Sequence, residues 1–141
     1  MIKVLVLFGT RPEVIKLAPV IWALESDAAR FQCVTVSSSQ HTDLLRPFVR
    51  DFGLRIDRDL QVMRHGQGLS GVFARVIASL SDVLAEEKPD IVLVQGDTTT
   101  AVAGALAAFY SGIAVGHVEA GLRTHNRYSP FPEEMNRRLI R

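Results

Sequence analysis

Ile2-Lys3-Val4-Leu5-Val6-Leu7-Phe8 decides the fold, and Gly9-Thr10-Arg11-Pro12 follows it directly. The run is apolar at nearly every position and rich in Val and Leu. An alternating pattern would describe a strand with one wet face. A continuous one describes a strand covered on both faces, the condition of a parallel sheet between helix layers. Gly9 breaks the strand, and Pro12 suits the first turn of a helix, where its missing N–H costs nothing. Val14, Leu17, Ala18, Ile21 and Leu24 then recur at helical spacing, so Glu13 to about Leu24 reads as a helix. Pro19 sits inside that pattern and predicts a kink or a break.

The same alternation continues outward from this unit. Phe31 to Val36 reads as a second strand, followed by the polar Ser37-Ser38-Ser39-Gln40-His41. Leu44, Leu45, Phe48, Val49 and Phe52 mark a short amphipathic helix that Gly53 is placed to end. Leu54 to Arg64 is irregular, with room for a short strand near Leu60. Leu69, Val72, Phe73, Val76, Ile77, Leu80, Val83 and Leu84 give the clearest helical period, closed by Lys88-Pro89-Asp90. Ile91 to Val94 is a further buried strand, Ala101 to Tyr110 an almost wholly apolar helix, and Ile113 to Val118 the next strand. Glu119 to Ser129 is a polar loop, and Pro130-Phe131-Pro132 leads into a last helix that runs to Arg141. Strand and helix alternate throughout, so the expected class is α/β, a parallel sheet with helices on both faces. Residues 1–141 fit one domain. A helix that begins at Pro132 and meets the chain end makes that domain look incomplete.

Hydrophobic residues make up 48% and charged residues 22% of the chain, an ordinary globular balance. A formal net charge of +1 offers no basic excess and argues against nucleic acid as the main partner. Cys33 is the single cysteine, so neither an intrachain disulfide nor a paired-thiolate metal site can form, and it reads as a small apolar residue of a buried strand. No apolar run approaches the ~18–20 residues of a membrane span, and no basic leader or processing site opens the chain. A cytoplasmic domain with no membrane partner is the expectation.

In an open parallel sheet, ligands bind beyond the carboxyl ends of the strands. The first strand is followed by Gly9, Thr10, Arg11 and, one turn into the helix, Lys16; the second by Gln40 and His41. Gly96, Asp97 and three threonines follow the fourth strand, and His117, Glu119 and Arg123 close the fifth. A helix N-terminus after Gly9 offers backbone N–H groups to a phosphate, and Arg11 can add bidentate bonds. A plain turn with a solvated Arg fits the same residues. The segment is neither a Walker A loop nor a G-x-G-x-x-G fingerprint. Asp97, Glu119 and Glu133 near such a loop suggest proton transfer, burial and repulsion splitting their pKa values. Against that, Asp97 could cap the helix after it, and Glu133 and Glu134 could pair with Arg137 and Arg138 at i+4. His117-Val118-Glu119 matches the H-x-E of zinc deaminases, but the two further cysteines of that site are absent. No metal site is expected.

Four segments together carry a resemblance. Gly9-Thr10-Arg11-Pro12-Glu13 with Ile15-Lys16 and Ala18-Pro19, Val94 to Thr100 (VQGDTTT), His117 to Thr124 (HVEAGLRT) and Pro130 to Arg137 (PFPEEMNR) resemble the motifs of non-hydrolysing UDP-N-acetylglucosamine 2-epimerases, in order and at matching spacing. Ser38-Ser39-Gln40-His41 departs from the Thr-Gly-Gln-His that the family often carries. The resemblance implies a Rossmann-like domain, the N-terminal half of a GT-B-type two-domain fold. It implies C2 inversion between UDP-N-acetylglucosamine and UDP-N-acetylmannosamine, by elimination of UDP and its re-addition, with no cofactor and no metal. Asp97, Glu119 and Glu133 would be the catalytic carboxylates with Arg137 beside them, while Arg11 and Lys16 would stabilise the departing diphosphate. Gln40 and His41 would belong to a site for a second, activating UDP-N-acetylglucosamine. A homodimeric parent is implied as well. Most uridine and diphosphate contacts would come from a C-terminal UDP-binding domain outside these residues, so the 141-residue chain alone is expected to be inactive. A GT-B glycosyltransferase, a hydrolysing relative that releases N-acetylmannosamine, and a non-catalytic nucleotide-sugar-binding module remain as alternatives.

Overall fold

The Ile2–Phe8 run forms β1, the central strand of a five-stranded sheet of order β3-β2-β1-β4-β5. The computed structural model describes residues 1–39 and 42–141. Along the chain, β1 is followed by α1 (Arg11–Ser26), β2 (Phe31–Ser37), α2 (Thr42–Asp51), β3 (Arg58–Asp59) and α3 (Leu69–Glu87). Then come β4 (Ile91–Gln95), α4 (Thr99–Tyr110), β5 (Ala114–Val118) and α5 (Glu133–Ile140). Each pair of neighbouring strands runs parallel.

The continuous apolar run has the meaning expected of it. Leu5 and Leu7 point to one face and pack with Val34, Val36, Val92 and Val94 against Leu80 and Leu84 of α3 and the alanines of α4. Val4, Val6 and Phe8 point to the other, where Val14, Leu17 and Ile21 of α1 and Leu45 and Val49 of α2 cover them. Helices therefore lie on both faces of the sheet. Burying each such side chain contributes roughly 1.5–3 kcal/mol relative to exposure, which outweighs any local strand or helix preference of the residues involved. Gly104 lets α4 lie close on β1, since a Cβ there would meet Leu7 Cδ2 at 2.2 Å. No helix among the described residues is long and apolar enough to cross a membrane.

The break expected at Pro19 does not occur; α1 runs through it from Arg11 to Ser26. Pro19 faces solvent. The carbonyl of Ile15 that loses its helical partner lies on that same exposed side and can be hydrated, while the buried stripe of α1 keeps the helix on the sheet. The sheet order carries the functional consequence. From β1 the chain proceeds outward to β2 and β3, then returns to β4 and β5 on the other side. The loops after β1 and β4 diverge, and the crevice between them is the place where ligands bind in this architecture.

Candidate active site

On the β1 side of the crevice, the helix start is already occupied by a carboxyl group of the chain itself. Thr10 caps α1 and Glu13 lies three residues on, the capping-box spacing. Glu13 is 1% exposed. Its Oε2 accepts from the Gly9 N–H at 2.8 Å, the Thr10 N–H at 2.7 Å and the Thr10 hydroxyl at 2.9 Å. Its Oε1 accepts from the Thr98 hydroxyl at 2.7 Å. Burial pushes the Glu13 carboxyl above its ordinary value, and these bonds work against the shift. The backbone donors of Gly9 and Thr10, which the sequence offered to a phosphate, are thus engaged by Glu13. The sequence carries the signal for this in Thr10-x-x-Glu13, the capping-box spacing, which neither the phosphate-cradle reading nor the plain-turn reading of the loop takes into account.

Across the crevice, Gly96 takes φ +71°, a left-handed conformation that glycine adopts without strain, and turns the chain out of β4. His117 Nε2 donates to the Gly96 carbonyl at 2.6 Å and is a structural brace of this turn. The residue that caps α4 is Thr98, whose hydroxyl accepts from the Ala101 N–H at 3.0 Å. Asp97 is therefore not the cap. One position ahead of it, its carboxylate is left for Arg137, whose Nε lies 2.9 Å from Oδ2, and its carbonyl accepts from Asn136 Nδ2 at 2.8 Å.

Arg137 is the hub of the site. It is 6% exposed and reaches Asp97, the Glu119 carbonyl and, at 3.6 Å, Glu119 Oε1. Glu119 holds φ +59°, strained for a residue with a side chain, at the end of β5. Its carboxylate pairs with Lys16 from α1 and accepts from Gln95 Nε2 at 3.3 Å. The Lys16 ammonium, aided by Arg137, holds the Glu119 carboxyl below the usual carboxylate range against the opposing effect of burial, so Glu119 is anionic at neutral pH. One chain of charges, Lys16–Glu119–Arg137–Asp97, thus spans the ends of β4 and β5 and the helices α1 and α5. Gln95 and Asn136 complete it. Neither stood out in the sequence, because an amide carries no titration signal and its partners come from distant segments.

At the start of α5 the two adjacent carboxylates differ. Glu134 is 1% exposed and accepts from Arg123 Nε at 3.1 Å and Nη2 at 3.0 Å, from Arg138 Nε at 3.2 Å and from the Thr124 N–H at 2.9 Å. Arg123 and those other donors pull its carboxyl down to about 2. The i+4 pairing expected for Glu134 and Arg138 is present, while Arg137 turns to Asp97 and Glu119 instead of Glu133. Glu133 keeps Oε2 buried with no hydrogen-bond partner among the described residues. Asp97, Glu133, Arg137 and Arg123 line a common cleft of about 280 Å³. Arg11 stands apart, its guanidinium 5.3 Å from the centre of the Phe48 ring on α2. Gln40 and His41 lie outside the described residues.

A family profile described as UDP-N-acetylglucosamine 2-epimerase matches residues 23–141. The chain belongs to that family. Among its epimerase relatives, the UDP-N-acetylglucosamine 2-epimerase of Salmonella typhimurium is 52% identical over 97% of this chain and 36% of its own length. The crystal structure of the Neisseria meningitidis enzyme bound to UDP-GlcNAc superposes with a TM-score of 0.95 at 50% identity, over 99% of this chain and 37% of that one. The Methanocaldococcus jannaschii enzyme, in complex with UDP-GlcNAc and UDP, gives 0.90 at 37% identity over 99% of this chain and 38% of its own. A Streptomyces glycosyltransferase at 21% identity and TM-score 0.59 shares the fold alone, over 83% of this chain and 38% of its own. The architecture is that of the N-terminal half of a GT-B-type epimerase, Rossmann-like as expected. The chain spans little more than a third of the length of the curated relatives it matches.

Proposed function

We propose that the full-length protein carrying this chain interconverts UDP-N-acetylglucosamine and UDP-N-acetylmannosamine, with residues 1–141 as its N-terminal Rossmann-like domain. The observation behind this reading is the convergence of Lys16, Glu119, Arg137 and Asp97 in one ion-pair network, with Glu133 lining the same cleft as Asp97 and Arg137. In the elimination, a base takes the proton from C2 as the C1–O bond breaks and its electron pair leaves with UDP, giving a 2-acetamidoglucal. In the return step the glucal accepts a proton at C2 on the opposite face, and the diphosphate oxygen closes on C1.

Acid and base groups are needed on both faces of the sugar, and three carboxylates on three elements provide a means. Asp97 and Glu119 share Arg137, while Glu133 holds an acceptor oxygen uncommitted among the described residues. Because Glu13 takes up the loop N–H groups, cationic side chains carry the stabilisation of the departing diphosphate on this half. Lys16 and Arg11 are assigned that role. Further contacts would come from the remainder of the protein. A regulatory UDP-N-acetylglucosamine at Gln40 and His41, and a homodimeric assembly, rest on the family resemblance.

The test is proton NMR of UDP-N-acetylglucosamine in heavy water with the full-length protein, the 141-residue chain being run in parallel. Deuterium should enter C2 together with the manno epimer in the full-length sample and not with the shorter chain. A folded full-length protein that leaves C2 protonated would remove this substrate from consideration.

A further inference from the structure

Two helix N-termini flank the crevice, and one buried carboxylate holds both. Glu13 uses Oε2 for the local task, accepting from Gly9 and Thr10 at the start of α1. Capping α1 needs no more than that oxygen. Oε1 does something else, bonding to Thr98, a residue 85 positions away. Thr98 commits its hydroxyl hydrogen to Glu13 and a lone pair to the Ala101 N–H, so its rotamer is fixed from both sides. Asp97 is the next residue back along the chain, and α5 grips it through Asn136 at the carbonyl and Arg137 at the carboxylate. The Asp97 loop is therefore clamped between α1, acting through Glu13 and Thr98, and α5.

We propose that Glu13 is a positioning residue of the epimerase site, fixing the Asp97 loop through Thr98 across the crevice between β1 and β4. The inference rests on the epimerase reading for its kinetic consequence and on geometry alone for the coupling. Glu13 does not touch the sugar. It sets where Asp97 and, through it, Arg137 stand when the substrate arrives, and a small displacement of such groups is felt in the chemical step more than in binding.

The experiment uses full-length protein with Thr98→Val, Thr98→Ser, Glu13→Gln and the pair Glu13→Gln/Thr98→Val, following deuterium incorporation at C2, thermal melting and the backbone amide signals. Thr98→Val should lower kcat about tenfold or more while KM stays within about twofold, as expected for loss of a buried hydrogen bond that positions groups acting in the transition state. Thr98→Ser keeps the hydroxyl and should recover most of that loss. The double variant should be no slower than the slower single one, because both substitutions break the same bridge. A lowered melting point with unchanged kcat, or losses in the two single variants that multiply in the double, would overturn the proposal in favour of independent helix caps. Should the wild-type protein fail to epimerise, the functional reading falls and the coupling is still decided by NMR. Glu13→Gln must then move the amide signals of Asp97 and Ala101, and a change confined to residues 9–16 refutes it.

Discussion

Glu133 and Glu134 sit side by side at the start of α5, and their surroundings separate them. Both line the cleft, but Glu134 is enclosed by Arg123, Arg138 and the Thr124 N–H and serves to pin the loop 119–132 onto α5, whereas Glu133 has an oxygen left unbonded among the described residues. The i+4 rule predicted one partner correctly, Arg138 for Glu134, and failed for Arg137, which bonds Asp97 40 positions away. A local rule has no access to what the sheet brings near. The Glu134 environment has a consequence in acid. Its folded carboxyl lies at about 2, below the ordinary value, so its contribution to stability is complete above the ordinary carboxylate range and is lost as pH falls toward 2. Glu119 and Glu87, also held down by cationic partners, act in the same direction, while Glu13, raised by burial, acts in the opposite one and loses stability as pH rises. Urea midpoints of the full-length protein should therefore drop from pH 5 toward about pH 2, more gently in Glu134→Gln than in wild type. Parallel curves for the two proteins would mean that the enclosure does not perturb Glu134.

At the scale of elements, nearly every strand and helix followed from spacing, because both-face burial and the helical period leave a direct mark on composition. Caps were less legible. Asp97 and Thr98 are both good capping residues, and the choice between them depends on Gly96 turning the chain so that Thr98 meets the Ala101 N–H. Pro19 does not break α1, because a proline's effect depends on which side of the helix it occupies, and that side is wet. Close packing gives a sharper expectation for α4. Ala at position 104 would gain about 1 kcal/mol of helix propensity over Gly, but its Cβ would lie 2.2 Å from Leu7 Cδ2 in the core, and overpacking of that kind costs about 1–3 kcal/mol. Gly104→Ala should thus lower stability despite the better helix former, seen as a reduced urea midpoint at constant m-value. A midpoint at or above wild type would show that Leu7 yields freely.

At the scale of the whole molecule, the face formed by the ends of α4 and α5 against β5 carries Phe109, Tyr110 and Leu139 at 72%, 70% and 64% exposure. Phe109 and Leu139 border a cavity of about 430 Å³ with Ile113, Ala114 and Val115. Contiguous exposed apolar surface of this kind favours association. The 141-residue chain expressed alone should bind a hydrophobic dye and self-associate, and Phe109→Lys with Leu139→Lys should reduce both. Equal dye binding by the variant would locate the apolar surface elsewhere. The sequence by itself determined the α/β class, the succession of strands and helices along the chain and the motif segments that carry Asp97, Glu119, Glu133, Arg137 and Lys16, since burial periodicity and motif spacing are properties of a linear chain. The tertiary structure alone decided that Glu13 fills the helix start, that Thr98 caps α4 and that Lys16, Glu119, Arg137 and Asp97 form one network. Those outcomes depend on which donors reach which acceptors once parallel strands bring segments some 85 residues apart to the two sides of one crevice.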